Sequence, residues 1–122
     1  MAIKNALRLR AKKTFASAGL QTLYSERVEQ SFIYCFQQVS WEIDKATAGG
    51  NTRCRLYIGG RGYKLNLDEQ DGPTANQLYT YNEHVWLIAG ERLALDIDEG
   101  QASTTAEMNI AGYYTESKEG IT

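Results

Sequence analysis

The sequence predicts an all-β domain: a jelly-roll-like antiparallel β-sandwich of about eight strands with an extended basic N-terminal arm. Three observations carry this reading. Apolar and polar residues alternate over short runs, the period of a half-buried strand. Turn signals recur about every ten residues, the spacing of sandwiches and barrels. Glycine occurs 11 times, tyrosine 8 times and proline once among 122 residues, which favours short strands joined by glycine turns.

The elements follow in chain order. Residues 1–13 carry Lys4, Arg8, Arg10, Lys12 and Lys13 and no acid. Ala6 to Ala11 alternates, which suits a strand with one wet face. Alanine, leucine, arginine and lysine also favour a helix. Thr14 to Gly19 offers no helix continuation, so an extended arm is preferred, with the first strand of the domain's own sheet as the alternative. Leu20 to Tyr24 is a short strand. Ser31 to Ile43 gives the strongest strand signal. One alternating set is Ile33, Cys35, Gln37, Val39, Trp41 and Ile43; the other starts at Phe32, Tyr34 and Phe36 and turns polar at Gln38, Ser40 and Glu42. Residues 44–51 read as a turn. Thr52 to Ile58 and Tyr63 to Leu67 alternate on either side of Gly59-Gly60-Arg61-Gly62, a hairpin signal. Asp68 to Asn76 reads as a polar loop. Gln77 to Tyr81, Val85 to Ile88, Arg92 to Asp98 and Thr104 to Tyr114 complete the strands. The organisation is an arm over 1–13, a sandwich over 14–115 and a flexible tail over 116–122.

Bulk properties exclude several classes. The formal net charge of −2 argues against nucleic acid as the main partner. No stretch approaches the roughly 20 apolar residues of a membrane span. No apolar segment with a cleavage site follows the basic start, so residence in the cytoplasm is expected. Cys35 and Cys54 lack the close ligand pairs of a zinc site. Both fall on apolar faces, so buried free thiols are expected, with a disulfide between neighbouring strands as the alternative.

Few residues invite chemistry. Asp96-Ile97-Asp98-Glu99-Gly100 starts like a calcium loop, but its glycine comes one place early and no helices flank it. A solvated strand face is the better reading, as is a solvated loop for Asp68, Glu69 and Asp71. His84 is the single histidine, and no serine or cysteine sits in a nucleophile context beside it. The glycine-rich hairpin lacks the Lys-Ser/Thr pair of a phosphate loop. No catalytic residue, cofactor or metal ligand is therefore expected. The dense aromatic residues are more informative. Tyr79, Tyr81, His84, Trp86, Tyr113 and Tyr114 suit a protein interface or a sugar platform, unless alternate members simply face the core. With Arg8, Arg10, Lys12 and Lys13 of the arm, they make up the expected partner-binding set.

Leu87 to Asp96 runs a strand into Gly90-Glu91-Arg92-Leu93. Ala102 to Tyr114 follows and closes on Gly112-Tyr113. With Arg53 to Ile58 and Gly59 to Gly62, this half resembles small virion proteins of tailed bacteriophages. The resemblance spans roughly residues 28–114. It implies a non-catalytic virion component, a decoration or cement protein ahead of a neck, tail or baseplate part. Its partners would be other virion subunits, with this chain in a homo-oligomer or in many copies on a lattice. It brings no catalytic residues. A receptor- or carbohydrate-binding module is the alternative.

Overall fold

The computed structural model describes residues 4–46 and 51–116. Within them run nine strands: β1 (Asn5–Phe15), β2 (Gly19–Tyr24), β3 (Phe32–Ile43), β4 (Arg53–Gly59), β5 (Lys64–Asp71), β6 (Tyr79–Tyr81), β7 (Val85–Leu87), β8 (Arg92–Gly100) and β9 (Thr104–Glu116). The pairing is nested. β1 pairs with β9, β2 with β8, β3 with both β6 and β7, and β4 with β5, all antiparallel. A long hairpin rolled over on itself gives this order, and the result is a jelly roll. Sheet A has the order β1-β9-β3-β6, with β7 also on β3; sheet B has the order β2-β8-β4-β5.

The core lies between the sheets. Leu7, Phe36, Val39, Trp41, Ile43, Met108 and Ile110 of sheet A meet Leu23, Cys54, Leu56, Ile58, Leu93, Leu95 and Ile97 of sheet B. Their removal from water is the main favourable term in folding.

The expected arm is corrected. Residues 5–15 pair with β9 along their whole length, from Asn5↔Tyr114 to Phe15↔Thr104. Leu7 is buried and Leu9 and Ala11 pack against the core. Burial of alternate apolar residues and a complete ladder on one side outweigh the entropy of holding the segment extended. What looked like an arm is the edge strand of sheet A, its charged residues facing water. Residues 1–3 and 117–122, with most of the expected tail, lie outside the described residues.

Two further differences have clear causes. β5 runs on through Asp68, Glu69, Gln70 and Asp71, a segment that reads as a loop. It is an edge strand wetted on most of its surface, so pairing with β4 rather than apolar alternation holds it. The second concerns β3. Phe36 pairs with Gly112 and Gln38 with Ala111, so Gln37 is the extra residue of a β-bulge. The bulge reverses the inward face. Phe36 before it and Val39, Trp41 and Ile43 after it belong to the core. Cys35 is thereby placed on the outer side of sheet A.

Candidate interaction surfaces

The outer face of sheet A carries two patches. The first lies along β1. Arg8 sits opposite Ala111, Arg10 opposite Asn109 and Lys12 opposite Glu107. β3 continues the row, with Gln38 opposite Ala111 and Ser40 opposite Asn109. Arg8, Arg10, Gln38, Ser40 and Asn109 line a shallow groove of ≈ 380 Å³. The Arg10 guanidinium donates to Glu107 at 2.8 Å, and this bond lowers the Glu107 pKa from its ordinary value. Arg8 and Lys12 are exposed, and among the described residues neither has a carboxylate within salt-bridge distance. Lys13 also belongs to β1, and its ammonium lies 5.3 Å from the centre of the Phe15 ring.

The second patch is aromatic. Trp86 and Tyr113 both stand opposite Cys35, from either side of β3. Their rings meet edge to face with centroids 5.9 Å apart, and the Lys4 ammonium sits 4.8 Å from the Tyr113 centroid. Cys35 is fully buried under this cap while Trp86 is 56% exposed. The expected burial of two free thiols therefore stands, but by two routes. Cys54 is in the core, and burial pushes its pKa up to about 12. Cys35 is sealed from outside by two rings. Both thiols should resist a disulfide reagent in the native protein, because the thiolate is the reacting form and neither sulfur is accessible. Trp86→Ala should speed labelling of Cys35 about tenfold or more and leave Cys54 protected. Mass spectrometry of partly labelled protein separates the two sites. Rapid native labelling of both would contradict the burial.

The platform expected from Tyr79, Tyr81, His84 and Trp86 does not form. Tyr79 stacks on Trp41 with centroids 4.7 Å apart, and Tyr79, Tyr81 and Tyr114 all pack against the core. Trp86 faces outward and exposed His84 lies between β6 and β7. The two short strands pair with separate parts of β3, Val39–Trp41 and Tyr34–Phe36, on either side of the bulge. Alternation cannot be carried from one to the other.

A site on sheet B was not anticipated. Tyr24 at the end of β2, Tyr57 on β4, Tyr63 after the glycine hairpin, Arg27, Lys64 and Arg92 line a cleft of ≈ 440 Å³. Tyr57 is buried; its hydroxyl donates to Asp96 at 3.0 Å. Burial and the Asp96 charge raise its pKa well above the ordinary phenol value. Asp96 also accepts from the Thr22 hydroxyl at 2.9 Å, so the residue that opens the calcium-like stretch serves hydrogen bonds across the sheet face. The one local signal for the cleft was the outward position of Tyr57 between Leu56 and Ile58 beside the Gly59–Gly62 turn.

No family model matches the chain, and no curated protein does. Solved structures similar to it include murine APRIL (TM-score 0.47, 11% identity, 88% of this chain and 99% of that one). FLHE is similar too (TM-score 0.44, 13% identity, 88% and 97%). So is a structure described as CBM4 (TM-score 0.38, 10% identity, 94% of this chain and 84% of that one). The likeness at these identities is one of fold.

Proposed function

We propose that the chain is a non-catalytic structural component of a tailed-phage particle, a decoration protein that joins neighbouring subunits through the rim of sheet A. The observation that carries this reading is β1. It is an edge strand of 11 residues, hydrogen-bonded on one side to β9 and, among the described residues, open on the other. An unpaired edge is a template for a strand of another chain unless something blunts it. The opposite edge of sheet A is blunted, being made of two strands of three residues each. On β1, Arg8 and Lys12 would select an acidic neighbour, since rim charges steer association and fix register. The virion assignment is supported by the sequence resemblance of residues 28–114. Particles stripped of this chain would bind it back in the virion, after its assembly in the host cytoplasm.

The test is co-sedimentation with such particles. Wild-type protein should pellet with them. The double variant Arg8→Glu/Lys12→Glu, a charge reversal at two exposed positions, should fold normally and bind about tenfold more weakly. Equal binding of the variant would remove β1 from the interface. Failure of the wild type to bind would remove the decoration role.

A further inference from the structure

We infer that the cleft on the outer face of sheet B is a binding site for an acidic sugar, a pyranose ring bearing a carboxylate or a sulfate. Three cations, Arg27, Lys64 and Arg92, line it together with Tyr24, Tyr57 and Tyr63, and no carboxylate is among its lining residues. The nearby acids are engaged behind the rings. Asp96 takes the Tyr57 hydroxyl, and Glu91, itself buried, takes the Tyr63 hydroxyl and the Ile88 amide. Among the described residues, neither Arg27 nor Arg92 has a carboxylate within 4.0 Å. Arg27 is held instead by the Gly90 carbonyl at 2.5 Å, and the Arg92 guanidinium lies 3.6 Å over the Tyr24 ring. Lys64 reaches Asp96 at 4.0 Å, but two arginines without a carboxylate partner in a concave, aromatic setting call for an anion.

The rings say what kind of anion. Arg92 covers Tyr24, and the Lys64 ammonium stands 4.8 Å from the centre of the Tyr57 ring. Those two rings are therefore occupied by cations and do not offer a stack for a planar base. Tyr63 does offer a surface. It lies flat against the hairpin, where a side chain on Gly60 would meet its ring at 2.0 Å, and it stays 43% exposed. One open ring beside two guanidinium groups suits the C–H face of a sugar with its acid group turned to the arginines. A volume of ≈ 440 Å³ falls in the range of small-molecule sites, about 300–1,000 Å³. The overall negative charge works against a nucleic acid strand.

Protein-observed NMR titration tests this, with a heparin-derived disaccharide, sialyllactose, lactose and adenosine monophosphate as probes. At least one of the two acidic sugars should shift resonances of Tyr24, Tyr57 and Tyr63, and lactose should not. Which of them binds separates a sulfate-bearing from a carboxylate-bearing ligand. Arg27→Ala/Arg92→Ala should weaken binding at least tenfold. Lys64→Gln, at a solvent-exposed side chain that leaves folding untouched, should weaken it severalfold. No shift with either acidic sugar, equal binding of lactose, tighter binding of adenosine monophosphate, or full affinity in the Lys64 and double-arginine variants would each overturn the assignment. The cleft is on the other sheet from β1, so this site and the assembly role stand or fall separately.

Discussion

Replacing Gly112 by alanine is expected to cost about 3 kcal/mol of stability, the upper end of what overpacking imposes. A Cβ at this position would lie 2.0 Å from the Cys35 carbonyl oxygen and 3.0 Å from the Phe36 Cα. The obstacle is backbone and cannot rotate away. β3 and β9, the central pair of sheet A, would have to separate at the bulge. That displacement reaches Phe36 and Val85, which pair between β3 and β7 and belong to the core. Thermal unfolding should show a fall on the order of 10 °C. Ala111→Ser, one residue away and outside the close approach, should change stability by no more than about 0.5 kcal/mol. A Gly112 variant melting within about 2 °C of wild type would mean that the bulge relaxes freely.

Removal of residues 1–13 should have the larger effect. It takes away Leu7, Leu9 and Ala11, which seal the core along β9, and most of the ladder on that strand. Each buried leucine is worth about 1.5–3 kcal/mol, against a net stability of about 5–15 kcal/mol for a whole domain. Met108 and Ile110, now buried, would lie at a bare edge. The truncated chain should lose its cooperative melt and aggregate. A truncated protein that keeps its strand signal in circular dichroism and its melting temperature would show that residues 1–13 are dispensable, as a mobile arm would be.

These two positions also mark where the sequence is readable and where it is not. β2, β3, β4, β8 and β9 show in the alternation because each has one face in the core and one in water. β1 has the same period, Leu7, Leu9 and Ala11 against Arg8 and Arg10, but an edge strand needs less apolar surface. Its four cations, with Lys4 just before them, then look like a tail. The bulge at Gln37 leaves no local mark. Both alternating sets of β3 carry aromatic or aliphatic residues there, and the choice between them is made by Gly112, 75 residues away in the chain. The candidate sites depend still more on such distant pairings. Arg8, Arg10, Trp86 and Tyr113 reach the outer face of sheet A as a surface residue set could. Tyr79, Tyr81 and Tyr114 turn inward, because aromatic density alone does not fix the face. The cleft of sheet B draws on β2, β4, the glycine hairpin and β8, and only the nested pairing brings these together.

The assembly role is tested most directly by the composition of the particle. Tailed-phage virions should be purified from cells that make this chain and analysed by quantitative mass spectrometry against the major capsid protein. The protein should be present in a fixed copy number, should persist through density-gradient purification, and should be depleted from particles made with the Arg8→Glu/Lys12→Glu variant. Its absence from purified virions, while it is abundant in the same lysate, would contradict the account.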